Sequence, residues 1–116
     1  MHPLNRHILL IASAFALSSC GGGGDEPSAF VYRSLESHQC TGGGRTLSEV
    51  QAMLVGAGVS VRSAQCGNDG IGRPAVCGAD DGRIGIFEIP QSQSGAASSA
   101  GFPSVSGIPY TVTPCS

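Results

Sequence analysis

Five cysteines hold most of the reactive chemistry of this 116-residue chain: Cys20, Cys40, Cys66, Cys77 and Cys115. A thiolate is a nucleophile and a soft metal ligand, and two thiols can close a disulfide. Cys20 stands apart because it directly follows an apolar run. The other four are spread over the rest of the chain, and an even number in a small exported domain reads as two disulfides. Four cysteines allow three pairings, and their spacing does not choose among them. A metal site is the competing use, seeded by His38-Gln39-Cys40. No C-x-x-C pair accompanies it, and His38 is the only histidine after Cys20, so the reading is no metal and no cofactor. Reversible thiol redox chemistry is a further alternative, with reducible pairs in the potential range of exchange proteins.

Two other groupings invite a chemical reading. Gly42-Gly43-Gly44-Arg45-Thr46 precedes an expected helix start, where backbone N–H groups and the helix dipole favour anions. Gly43, Gly44 and Arg45 are thus candidates for a carboxylate or sugar-acid site. The run is not a phosphate-binding P-loop, since lysine is missing and the spacing differs. The plainer reading is a flexible entry to a capped helix. Asn68-Asp69-Gly70 and Asp80-Asp81-Gly82 suggest calcium loops, but neither has EF-hand spacing and Asp-Gly is a common turn signal. Nucleophilic catalysis finds no support: there is no G-x-S-x-G elbow. No catalytic residues are assigned, and the chain reads as a non-enzyme.

The elements that would position these residues follow from pattern. Thr46-Leu47-Ser48-Glu49 is a capping box. Leu47, Val50, Met53, Leu54 and Ala57 then form one apolar helical face, and Gly58 is a natural stop. A helix is expected over 47–57. Strands are expected at Phe30–Leu35, at Val59–Ala64 and at Ile84–Ile89, the last apolar on both faces and therefore central. Residues 67–82 form a Gly/Asp-rich connection, long for a compact domain. Gln91–Ala100 reads as a weak second helix ended by Gly101, with Phe102 packing back. Ile108–Thr113 reads as an edge strand interrupted by Pro109. The order β-α-β-β-α-β predicts a small α+β domain of ferredoxin-like type over 30–116, stapled by two disulfides. In that topology Cys40, Cys66 and Cys77 share one end of the sheet and Cys115 reaches the other, unless the tail wraps.

The N-terminus reads as an address. Residues 1–7 carry one fixed positive charge, Arg6, and Ile8–Leu17 are mostly apolar. These are the n- and h-regions of a signal peptide, too short to span a bilayer as a helix. The segment closes on Leu17-Ser18-Ser19-Cys20, which resembles the lipobox of bacterial lipoprotein precursors. The resemblance implies that the Cys20 thiol receives a diacylglycerol, that the signal peptide (1–19) is cut off before Cys20, and that the new amine is acylated, typically with palmitate. An ordinary secretory signal with an incidental cysteine is the alternative. Gly21 rather than Asp follows the cysteine, which by the sorting rule of enterobacterial lipoproteins points to the outer membrane, facing the periplasm. Residues 20–29 then form a lipidated, Gly-rich tether.

Cleavage there leaves 97 residues, small enough for covalent staples to matter. The remainder has five arginines, no lysine and eight acids, a net charge of −3. That balance excludes the basic footprint of a nucleic-acid partner. Cys66-Gly67-Asn68-Asp69-Gly70, Arg73-Pro74-Ala75-Val76-Cys77-Gly78 and Gly85-Ile86-Phe87-Glu88-Ile89-Pro90 resemble a group of small proteobacterial lipoproteins without an assigned activity. The β-α-β-β-α-β order is also similar to the peptidoglycan-binding SPOR domain, at the level of fold alone. The resulting expectation is an envelope lipoprotein that binds a protein or peptidoglycan. The alternative is an enzyme or enzyme inhibitor acting through the 67–82 loop and Arg73.

Overall fold

A computed structural model describes residues 26–115. The expected signal peptide (1–19), the expected lipobox with Cys20 and the Gly run lie outside the described residues. Among the described residues no helix is long and apolar enough to cross a membrane. The chain order is β1 (Ser28–Ser34), α1 (Leu47–Gly56), β2 (Ser63–Asn68), β3 (Arg83–Pro90), α2 (Ser94–Ser99) and β4 (Thr111–Val112), with 3₁₀ turns at Gln91–Gln93 and Val105–Gly107. This is a small α+β domain with one antiparallel four-stranded sheet.

The central strand is β3, hydrogen-bonded to β1 on one side and β2 on the other. Its two faces serve two cores. Phe87 and Ile89 pack with Val31, Val50, Leu54, Ala97 and Phe102 on the helix side. Ile84 and Ile86 pack with Val105, Tyr32 and Ile108 on the other. Apolar side chains on both faces thus follow from burial on both faces.

Local signals set the helices. The Thr46 hydroxyl accepts from the Glu49 N–H, and the Glu49 carboxylate accepts from the Thr46 N–H, so the capping box is complete. At the other end Gly58 has φ +89°. The Gly58 and Val59 N–H groups donate to the Val55 and Leu54 carbonyls, the paired bonds of a Schellman motif. The same device ends α2: Gly101 and Phe102 donate to Ser98 and Ala97. Phe102 swings back into the core, fully buried. Poor in apolar residues, α2 still holds because its stop residue delivers a phenylalanine.

Two expectations give way. The second strand is not Val59–Ala64 but Ser63–Asn68. Val59 instead caps α1 and is buried in the helix-side core, while the Ser60 N–H donates to the Gln93 side chain. The sheet order is β1-β3-β2-β4, so the last strand lies beside β2 and not beside β1, its place in a ferredoxin-like sheet. The tail wraps. The Tyr32 N–H donates to the Pro103 carbonyl at the β1 edge, and Val105 and Ile108 cross the Ile84/Ile86 face. The chain then emerges at the opposite edge as β4. Gly67 permits this close pass, because a Cβ there would sit 2.5 Å from the Thr111 carbonyl oxygen.

The wrap decides the disulfides. Antiparallel β4 places the Thr113 N–H on the Cys66 carbonyl, and two residues later Cys115 closes on Cys66 with Cα atoms 5.0 Å apart. Cys40 pairs with Cys77, Cα atoms 5.1 Å apart. Both separations suit a disulfide. The folded domain also begins earlier than residue 30. Glu26 and Pro27 are fastened by the Ser92 N–H, the Gln91 N–H and the Arg62 guanidinium, which takes both out of the expected 20–29 tether.

Candidate functional site

The strand directions give the domain two distinct ends. At one, Ser28 pairs with Pro90 and Ser63 with Glu88. Here the Glu88 carboxylate accepts from the Ser28 and Ser63 hydroxyls, and Arg62 donates to Ser28. These hydroxyls, Ser28 first, hold Glu88 below the usual carboxylate range. At the other end lie Ser34, Asn68, Arg83 and β4, together with both disulfides and the 69–82 loop.

That second end has a cleft of about 280 Å³, formed by Leu35, Ser37, Gly43, Arg45, Thr46, Leu47, Cys66, Arg83 and Cys115. Leu35 organises it. Its N–H donates to the Arg83 carbonyl, and its carbonyl accepts from the Arg45 N–H, so one backbone unit brings together two arginines far apart in sequence. Gly44 makes the approach possible, with φ +81° and no room for a Cβ against the Leu35 carbonyl. The expected anion residues therefore separate in role. Gly43 and Arg45 line the cleft, whereas Gly44 sets the backbone. The Arg45 and Thr46 N–H groups are engaged by Leu35 and Glu49, so the cationic character of the cleft comes from side chains.

Arg83 is the residue that sequence reasoning missed. Nothing local marks it; it enters through the β1–β3 register. Each cleft arginine has one loose ionic neighbour: Arg45 Nε lies 3.6 Å from Glu36, and Arg83 Nε lies 3.8 Å from Asp81. Both guanidinium groups are half exposed, where such pairs contribute about 0–1 kcal/mol.

The 69–82 loop is tied down rather than displayed. Arg73, the residue expected to act from it, makes two hydrogen bonds of 2.8 and 2.7 Å to the Asp69 carboxylate. The Asp-Gly pairs form turns: Asn68, Asp69, Asp80 and Asp81 each accept, through a side-chain oxygen, from the N–H two residues on. Their oxygens thus serve backbone and arginine. No cluster of three or more metal-ligating side chains occurs among the described residues. His38 is exposed and bridges Gly42 and Asp80 through its backbone. The exposed apolar residues of the loop are Ile71 and Val76.

The Arg73 hydrogen bonds, aided by the Ile71 N–H and opposed by burial, hold Asp69 below the usual carboxylate range. A depressed carboxylate stabilises the fold above its unfolded-state pKa of about 3.9, and that contribution is lost as pH falls through the folded value. Asp69→Asn keeps the turn acceptor but removes the charge. It is expected to lower stability by about 1–2 kcal/mol at neutral pH, a difference that closes as urea unfolding is repeated at pH values falling below about 4.

No protein-family model matches the chain, and neither a curated protein nor a solved structure is similar to it.

Proposed function

We propose that this chain is a lipoprotein of the bacterial cell envelope, anchored through Cys20, whose domain is a non-catalytic binding module near the outer membrane. The observation that supports this reading is the segregation of the domain's two ends. The chain enters at the end fastened by Glu26, Ser28, Arg62 and Glu88. The cleft and both disulfides lie toward the opposite end of β3: Arg83 is five residues or about 17 Å from Glu88, and Cys66, which pairs with Gly85, is about 10 Å along from Glu88. From Cys20 to Glu26 the chain can span at most about 20 Å. An anchor at Cys20 would therefore hold the Glu26 end against the bilayer and point the cleft away from it, toward a periplasmic protein or peptidoglycan. The β1-α1-β2 unit with β3 inserted between its strands reads as the split half of a ferredoxin-like frame, with the last strand moved to the other edge.

The test is the mass of the mature protein extracted from membranes under non-reducing conditions. The expected species starts at Cys20 and carries a diacylglycerol and an acyl chain, and Cys20→Ser moves the protein from the membrane to the soluble fraction. An unmodified thiol at Cys20 would overturn the anchor.

A second reading is inhibition of an enzyme by the 69–82 loop. The withdrawal of Arg73 onto Asp69 leaves Ile71 and Val76 as the residues that would act. Ile71→Ser and Val76→Ser, tested against envelope hydrolases, separate the two readings: a binding module working through its cleft is unaffected.

A further inference from the structure

The cleft at the disulfide end has a chemistry that narrows its ligand. Its floor is apolar, made by Leu35, Leu47 and the Cys66–Cys115 disulfide, and Arg45 and Arg83 line it as cations. Among the described residues, neither guanidinium donates a side-chain hydrogen bond; each pairs loosely with its acid, Nε at 3.6 and 3.8 Å. Their terminal NH₂ groups donate no hydrogen bond to the described residues, and a planar fork of that kind matches a carboxylate.

Charge sets the valence. Glu36 and Asp81 beside the two arginines leave the cluster close to neutral, which suits a monoanion better than a phosphate with nearly two charges. Asp81 is also held by the Ser37 hydroxyl and the Arg83 N–H, so it stays in place when a ligand enters. Size sets the length. The cleft volume of about 280 Å³ lies at the bottom of the range of about 300–1,000 Å³ typical of small-molecule sites, room for one or two small residues but not for a sugar chain.

We propose that the cleft binds the free α-carboxylate end of a short peptide with small apolar side chains, the carboxylate between Arg45 and Arg83 and the side chain over Leu35, Leu47 and the disulfide. This rests on the binding-module reading but not on the anchor, which the mass of Cys20 reports separately. Two sources offer such an end: the C-terminus of a protein, with L residues, and a cell-wall stem peptide, with D residues.

The experiment is an NMR titration of the full chain with acetyl-Ala-Ala in its L,L and D,D forms, each as free acid and as C-terminal amide. Expected is saturable binding of at least one acid, with shifts at Leu47, Arg83 and Cys115. The matching amide should bind about tenfold more weakly, the loss of one charge-assisted pair. Arg45→Ala and Arg83→Ala should each weaken the acid about tenfold with the melting temperature unchanged. Arg83→Lys should fall between, since it keeps charge but loses the fork. The preferred enantiomer identifies the source. Equal binding of acid and amide, no binding of either acid, or variants that bind like the parent would each overturn the proposal.

Discussion

Replacing Cys66 and Cys115 together by alanine is expected to destabilise the domain by about 4 kcal/mol, the loop-closure estimate for a separation of 49 residues. In a domain of this size that is a fall in melting temperature of roughly 20 °C. The figure is credible because little else holds the tail. Both residues of β4 are exposed, so almost no apolar burial fastens it, and it shares only a two-residue register with β2. Hydrogen exchange at Thr113, whose N–H meets the Cys66 carbonyl, should lose its protection in the variant while β3 keeps its own. Removing Cys40 and Cys77 instead frees two exposed loops that retain the Asp69–Arg73 pair and the backbone bonds between Gln39 and residues 78 and 79. The sheet should then stay intact. The two loops overlap between Cys66 and Cys77, so the four-alanine variant should lose less than the sum of the pairs. Thermal unfolding followed by circular dichroism measures all three. A Cys66/Cys115 variant that melts within a few degrees of the parent would show that the wrap, not the bond, holds the tail.

Which features were legible follows the range of the forces involved. Thr46, Glu49, Gly58 and Gly101 act within one turn of their own helices, so the helix starts and stops were readable. β3 was readable because Ile84, Ile86, Phe87 and Ile89 need two cores. Strand β2 was not: Ser-Ala-Gln-Cys-Gly-Asn has little intrinsic strand preference, and only pairing with β3 makes it extended. The apparent alternation at Val59–Val61 is the irregular link that follows the helix stop at Gly58 and leads into β2. The disulfide pairing depends on where the tail re-enters the sheet, which Gly67 and Pro109 permit but do not announce. The cleft was half visible. Gly43 and Arg45 are marked by the helix start beside them, whereas Arg83 reaches the site only through the backbone of Leu35. The Asp69–Arg73 pair carried no such signal, because i, i+4 spacing joins charges on a helix and these residues lie in an irregular loop.

Phe87→Ala is the core substitution expected to cost most, about 4 kcal/mol. Phe87 has no exposed surface and sits at the middle of the central strand. Its ring meets Phe102 edge-on, centroids 5.8 Å apart at 74°, a geometry that adds about 1 kcal/mol to the burial. A Cβ on neighbouring Gly85 would touch both this ring and Leu47, so the space is already filled, and its walls are the packed side chains of Val31, Val50, Leu54, Ala97 and Phe102. They collapse poorly, which puts the loss high in the range for such truncations. Phe87→Leu should cost markedly less, and combined with Phe102→Leu should reveal a coupling of about 1 kcal/mol. Domains of this size are stable by about 5–15 kcal/mol. With its disulfides closed, Phe87→Ala should therefore still fold and melt cooperatively, at a lower temperature. In the background lacking Cys66 and Cys115 the two losses together, about 8 kcal/mol, exceed the lower part of that margin, where a small stapled domain lies, and the protein should be unfolded at room temperature. Near-ultraviolet and far-ultraviolet circular dichroism of the single and combined variants decides this. A combined variant with native spectra would mean that the apolar core holds the domain without its staples.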